Sequence, residues 1–227
     1  MEIRSSASIT RSLFFFSVFY GGMVCIAGVL GNKQVSLGPL SVLGTWVGVG
    51  PLAVEAGIFA FLMLVSVSSA VAELHGPEIG RRLVLFGFVP LVVSVLLSLL
   101  VLRLPASASM EPNRLAAFTL MMEGTPRIWL GGIIAYGISQ ILNVTIFGAL
   151  RSGTGRMLWL RAALASMLSQ IADTLIFVTV AFYNVFPIGE LLVGQMIAKV
   201  VLSLVLVPPL IYAFVAFGRR LDGRRPL

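Results

Sequence analysis

The sequence predicts an all-α integral membrane protein, a single transmembrane domain over 1–227 that crosses the bilayer six times. Three observations predict it. Hydrophobic residues make up 58% of the chain and charged residues 11%, with a mean hydropathy of +1.02; soluble domains are about half apolar and a quarter charged. The apolar residues gather in runs of roughly 20, enough for a helix rising 1.5 Å per residue to cross the hydrocarbon. Arginines cluster in alternate connections between those runs, as they do around membrane spans.

The spans fall at about Leu13–Leu30, Pro51–Ala72, Leu83–Leu102, Ile128–Leu150, Leu160–Phe182 and Ile188–Phe217. The first is long for a signal-peptide core and lacks a small-residue cleavage site, so no cleavable leader is expected. Val35–Gly50 is Gly-rich and carries Pro39 and Trp46. It reads as a re-entrant or interfacial segment, or as part of a longer second span. Arg114–Met122 has the length of a short interfacial helix ahead of Pro126. The sixth run is too long for one straight crossing, and Pro208-Pro209 is expected to kink it.

Charge sets the orientation. Arg4, Arg11, Arg81, Arg82, Arg151, Arg156, Arg161, Arg219, Arg220, Arg224 and Arg225 fall on one side, against Lys33, Arg103, Arg114 and Arg127 on the other. Positive residues collect on the cytoplasmic face, so both termini are expected there, in a cell (inner) membrane protein. The same arginines account for the net charge of +7. No basic stripe interleaved with aromatics exists, which excludes a nucleic-acid partner.

Several chemistries drop out. Cys25 is the single cysteine and His75 the single histidine, so neither a disulfide nor a Cys/His metal site is expected. No G-x-x-x-x-G-K-[ST] segment is present to hold ATP. With no metal cluster and no Ser–His pair on facing spans, the chain does not read as an enzyme, and no cofactor is implied.

What is left to explain is a polar phrase that occurs twice. Ser139-Gln140-Ile141-Leu142-Asn143-Val144-Thr145-Ile146-Phe147 is echoed by Ser169-Gln170-Ile171-Ala172-Asp173-Thr174-Leu175-Ile176-Phe177. Polar groups at mid-span are costly in hydrocarbon unless they face each other, water or a ligand. Gln140, Asn143 and Phe147 share one helical face, as do Gln170, Asp173 and Phe177. Amides, a carboxylate and a ring one turn away suit the edge and face of a flat heterocycle. Ser139 and Ser169 read as helix-to-helix hydrogen-bonding groups. Asp173 is either a ligand acceptor or half of an ion pair with Lys199. Glu73 is interfacial or functional, Glu55 lies one turn inside the second span facing an outward vestibule, and Glu190 caps the sixth helix. Trp46, Trp129 and Trp159 read as interface anchors, Phe14-Phe15-Phe16 as lipid contacts, and Gly131, Gly132 and Gly137 as sites of close packing.

These residues resemble a known family. Ser139–Arg151 (SQILNVTIFGALR), Leu158–Arg161 (LWLR), Ser166–Phe177 (SMLSQIADTLIF) and Lys199 with Pro208 are similar to the queuosine precursor transporter family, also called the vitamin uptake transporter (VUT) family. Glu73-Leu74-His75-Gly76 with Arg81-Arg82 resembles that family's E-x-[YH]-G segment and basic loop, and Asn32-Lys33 its first outer loop. The resemblance implies six helices arranged like the substrate-binding subunits of energy-coupling-factor vitamin transporters. It implies import of a 7-deazaguanine such as 7-cyano-7-deazaguanine, 7-aminomethyl-7-deazaguanine or queuine, a purine-like small molecule bound at mid-membrane. By motif match the substrate-binding residues become Gln140, Asn143, Phe147, Gln170, Asp173, Glu73 and Lys199. The family usually carries Asp where this chain has Asn143 and Ser69. Alternatives are a vitamin-importer subunit for another heterocycle, with a coupling partner or as a homodimer, and a structural membrane protein.

Overall fold

The computed structural model describes residues 9–123, 126–150, 157–184 and 188–223. Eight α-helices and a two-stranded ladder follow one another: α1 Arg11–Leu30, β1 Gln34–Ser36, a 3-10 turn Gly38–Ser41, α2 Val42–Trp46, β2 Ala53–Glu55, α3 Gly57–His75, α4 Pro77–Arg103, α5 Pro112–Met122, α6 Pro126–Ala149, α7 Leu158–Phe182 and α8 Gly189–Leu221. Helices α1, α3, α4, α6, α7 and α8 are long and apolar enough to cross a membrane. The expected all-α membrane fold is present.

The boundaries differ where local chemistry intervenes. The second crossing starts at Gly57 rather than Pro51, because Ala53–Glu55 is drawn into an antiparallel ladder with Gln34–Ser36, Gln34 opposite Glu55. Val35–Gly50 is therefore a ladder strand and two short helical turns, not an extension of the second span. Glu55 ends a strand instead of lying one turn inside a helix. The third crossing starts earlier than Leu83: Gly76 has φ of 98° and ends α3, and Pro77 opens α4 immediately. A left-handed glycine followed by proline at the first helical position makes a one-residue joint between two helices. α5 is the short helix expected around Arg114–Met122. α8 continues through Pro208 and Pro209 as one helix.

Helix α3 is the centre of the bundle. It packs against α1, α4, α6 and α8, and 67% of its apolar stretch is buried, against 17% for α1 and α4. Its inner surface is narrow because it is built from Ser66, Ser68, Ser69, Ala70 and Ala72. Small side chains let backbones approach where lipid removes the usual hydrophobic drive between helices. α6 and α7, the helices of the doubled phrase, form the most extensive pair.

The two ends of the bundle are distinct. At the terminal end, the Ser12 hydroxyl donates to Asp222 Oδ2 at 2.7 Å and lies 2.8 Å from His75 Nε2, tying together the start of α1, the end of α3 and the end of α8. A Ser–His contact between two spans, which the sequence did not lead one to expect, is thus present. The β-ladder marks the opposite end, where α1 finishes and α3 and α6 begin.

Phe14 and Phe15 are exposed as expected, but Phe16 is fully buried, edge-on to Phe214. Gly131 and Gly137 do allow close packing, against Val180 and the Phe88 ring, whereas Gly132 has open space beside it. Gly87 is tighter still: a Cβ there would lie 2.6 Å from Tyr20 Cε1 and 2.8 Å from the Tyr136 hydroxyl. Gly87→Val should therefore destabilise the protein by about 2 kcal/mol through overpacking. The check is the unfolding midpoint in detergent, and an unchanged midpoint would show that the two tyrosines yield freely.

Candidate functional site

A cavity of about 500 Å³ opens at the ladder end between α1, α3, α4, α6, α7 and α8. That volume suits a small heterocycle. Its rim carries the exposed Asn32, Gln34 and Glu123. Deeper, the lining includes Leu64, Tyr136, Asp173 and Lys199, all buried. Phe61, Trp129, Phe177 and Phe182 supply aromatic walls, and Glu55, Ser94 and Ser98 add polar groups.

Charge is concentrated on the floor. Lys199 Nζ lies 3.2 Å from Asp173 Oδ2, and the Ser139 hydroxyl donates to Asp173 Oδ1 at 3.2 Å. Both carboxylate oxygens are thus occupied, one by a cation from α8 and one by a hydroxyl from α6. Lys199 also stands 5.9 Å from the Phe177 ring centroid, at the limit of cation–π attraction. Beside the floor, the Tyr136 hydroxyl donates to the Tyr20 hydroxyl at 2.8 Å.

Beyond the floor, towards the terminal end, comes a sealed polar layer. Gln140, Asn143 and Gln170 are fully buried there. The Ser68 hydroxyl donates to Gln140 Oε1 at 3.4 Å, while Asn143 Nδ2 donates to Ser69 Oγ at 3.0 Å and to the Val65 carbonyl at 3.4 Å. Among the described residues, other atoms of the layer have no hydrogen-bond partner: Gln140 Nε2, Asn143 Oδ1, both polar atoms of Gln170, and the Ser66, Ser166 and Ser203 hydroxyls. Unpaired buried polar atoms each cost roughly 1–3 kcal/mol, so such a layer calls for a functional reason.

A second ion pair closes the layer. Arg161 Nη2 lies 3.1 Å from Glu73 Oε2, with side-chain exposures of 5% and 13%. Arg161 also donates through Nε and Nη2 to the Phe147 carbonyl at 3.3 and 3.2 Å, and its guanidinium covers the Phe147 ring at 4.2 Å. One side chain of α7 thereby holds the ends of α3 and α6.

Of the residues expected to contact ligand, Asp173 and Lys199 line the cavity; Gln140, Asn143, Phe147, Gln170 and Glu73 do not. Phe147 has its face taken by Arg161. The Asp173–Lys199 pairing that the sequence left as an alternative is formed, and Ser139 bridges helices as expected, whereas the Ser169 hydroxyl turns back onto its own helix at the Ser166 carbonyl. Trp46 and Trp159 are exposed, consistent with interface anchors, but Trp129 lines the cavity with its indole N–H unpartnered. The Glu190 side chain lies outside the described residues. Sequence reasoning passed over Tyr136 and Gln195 and gave Arg161 no role in the site. Tyr136 precedes the Ser139 phrase by one helical turn, a signal available in principle, while Arg161 was absorbed into the charge count.

Fold and cavity together define a polytopic membrane protein with a ligand-sized, charge-floored chamber between its helices. Residues 55–214 match the family described as "Putative vitamin uptake transporter", and the chain belongs to that family. It is 31% identical over 150 residues to a Bacillus subtilis (strain 168) protein named "Probable queuosine precursor transporter", the match spanning 63% of each chain. It is 27% identical over 188 residues to the "Queuosine precursor transporter" of Escherichia coli (strain K12), covering 81% of this chain and 75% of that one. No solved structure matches the chain.

The Arg161–Glu73 pair generates a stability prediction. Arg161→Met strands a carboxylate at a site only 13% exposed, and breaking such a pair costs about 3 kcal/mol. Adding Glu73→Gln should recover part of the loss. Thermal unfolding of the single and double variants in detergent measures both, and coincident wild-type melting for all three would remove the pair from any structural role.

Proposed function

We propose that this chain imports a queuosine precursor, a 7-deazaguanine such as 7-cyano-7-deazaguanine, 7-aminomethyl-7-deazaguanine or queuine, and that it performs transport without chemistry. The observation that carries the reading is the cavity whose floor is the buried Asp173–Lys199 pair beside Phe177. Buried charge in a membrane span marks a substrate path more often than a structural device. The names of the bacterial relatives support the substrate class.

Substrate enters from the ladder end, its ring against Phe177 and its polar edge towards Lys199, which Asp173 holds in place. Gln140, Gln170 and Asn143 form the next station along the path, where their unpartnered atoms meet the moving substrate. Arg161, Glu73 and Phe147 close the path at the terminal end. Passage requires that end to open as the ladder end closes, an alternating exposure around one central region. The arginine distribution supports a cytoplasmic terminal end, and on that reading the direction is inward. The driving energy comes from outside the chain, through a gradient, a coupling partner or metabolic trapping.

Two experiments test the reading. In cells unable to make queuosine, uptake of labelled 7-cyano-7-deazaguanine should depend on this chain and fall roughly tenfold or more in Asp173→Asn and in Gln140→Ala, each having lost a charge or hydrogen-bonding group from the path. Normal uptake by both variants at normal expression removes these residues from the site, and no uptake by the wild type removes the substrate. Reporter fusions at each terminus should be active as cytoplasmic fusions; activity of a periplasmic reporter at either end would reverse the orientation.

A further inference from the structure

Glu55 stands apart from the other carboxylates of the cavity. Asp173 has its charge neutralised by Lys199 and both oxygens engaged, and Glu123 is exposed at the rim. Glu55 is half-buried in the cavity wall, and among the described residues no cation lies within ion-pair distance of it. Its recorded side-chain partner is neutral: Gln195 Nε2 donates to Glu55 Oε1.

The position of Glu55 is fixed twice. Its backbone is held in the ladder opposite Gln34, and the next amide, Ala56 N–H, donates to the Lys33 carbonyl at 2.7 Å. Its side chain is then oriented from α8 by Gln195. An ionised carboxylate offers about four lone-pair directions, and Gln195 takes one. The free directions suit two adjacent N–H donors received side by side, as carboxylates receive paired donors elsewhere.

The opposite pole is on the same helix. Gln195 and Lys199 are four residues apart on α8, so the group that holds Glu55 and the base of the Lys199 side chain lie roughly 6 Å apart along that helix face. An acceptor at one level and a donor one turn deeper define a bipolar strip. A fused heterocycle with an N–H and an amino group on one edge, and a ring carbonyl beside them, meets both poles with the correct sign.

We propose that Glu55 is a specificity-determining residue, the carboxylate that accepts the ring N–H and exocyclic amino group of a guanine-type base, with Lys199 donating to the carbonyl of the same edge. The proposal rests on the transport reading above, for it names the group that selects the substrate class of that cavity. Gln195 is a positioning residue that keeps the Glu55 carboxylate aimed.

The test compares two ligands differing by one donor, 7-deazaguanine and 7-deazahypoxanthine, in which hydrogen replaces the 2-amino group. Binding to the full-length purified protein in detergent is measured by titration calorimetry. Wild type should bind 7-deazaguanine at least about tenfold more tightly, the discrimination expected when a site built for an amino donor meets a ligand lacking it. Glu55→Gln should weaken the 7-deazaguanine complex more than the 7-deazahypoxanthine complex, which loses only the charge assistance of the ring N–H bond, so that the preference collapses. A wild type binding both equally overturns the assignment whether or not the variant folds. Retained discrimination in Glu55→Gln also overturns it, leaving the transport reading in place. Failure of the wild type to bind either ligand, or to take up a 7-deazaguanine into cells, removes the reading on which the assignment rests.

Discussion

The ion pair between Asp173 and Lys199 is the constraint around which the bundle is organised. Either charge alone, at 8% and 6% exposure, would be too costly to hold within a membrane span; together, with Ser139 on the second carboxylate oxygen, they are sustainable. The pair therefore dictates neighbours. α7 and α8 must face each other at this level, α6 must bring Ser139 to the same point, and the space above the pair must stay polar enough to tolerate it. That space is the cavity. Its aromatic walls limit water while Glu55, Ser94 and Ser98 keep it from being dry hydrocarbon.

A second pair repeats the arrangement deeper in the molecule, with different consequences. Arg161 joins α7 to α3 through Glu73 and to α6 through the Phe147 carbonyl. The approach to Glu73 is electrostatic, since Glu73 Oε2 lacks hydrogen-bond geometry despite the 3.1 Å separation. Nη1 of Arg161 has no hydrogen-bond partner among the described residues. A contact held by charge more than by directed bonds can be parted and remade as helices shift, which fits a closure better than a rivet. Between the pairs lies the layer of Gln140, Asn143 and Gln170, whose unpartnered atoms would be expensive in a part of the fold that never exchanged them. α3 makes this stacking feasible, because its serines and alanines let α6 and α8 approach from both sides.

Much of the fold was legible because membrane spans announce themselves by length and apolarity, which do not depend on tertiary contacts. What was not legible depended on pairing between distant segments. Nothing local in Ala53–Glu55 reveals that it will pair with Gln34–Ser36 instead of beginning a helix. For the site, helical periodicity correctly grouped Asp173 with Phe177, yet it also grouped Gln170 with them, and the cavity ends between the two levels. Periodicity assigns a face; depth along that face is set by where neighbouring helices converge. Phe147 shows the same limit from another direction, since a ring well placed to stack on a ligand is instead covered by a guanidinium about one helical turn from the loop that was read as topology signal. Trp129 was read as an anchor because it lies near a span end, but the bundle turns that end inward onto the cavity.

The departures from the family pattern take on a physical meaning once the positions are seen together. Asn143 and Ser69 stand where acids are usual in the resemblance, and here they are hydrogen-bonded to each other at 3.0 Å. Two carboxylates at that separation cannot both be ionised in a buried layer; one must hold a proton or recruit a cation. Replacing both by an amide and a hydroxyl removes that requirement at once, whereas replacing one would leave an acid facing a partner unable to share its proton. The two changes therefore read as one coupled change rather than as two losses. Its effect is to leave the buried layer formally neutral between two ion pairs, while Glu55 in the cavity wall is held by a neutral partner, Gln195. On the proposed transport reading, selection of a donor-bearing ligand falls at entry, where the ligand is still exchanging with solvent, and the neutral layer below offers hydrogen bonds without a charge to hold the ligand back.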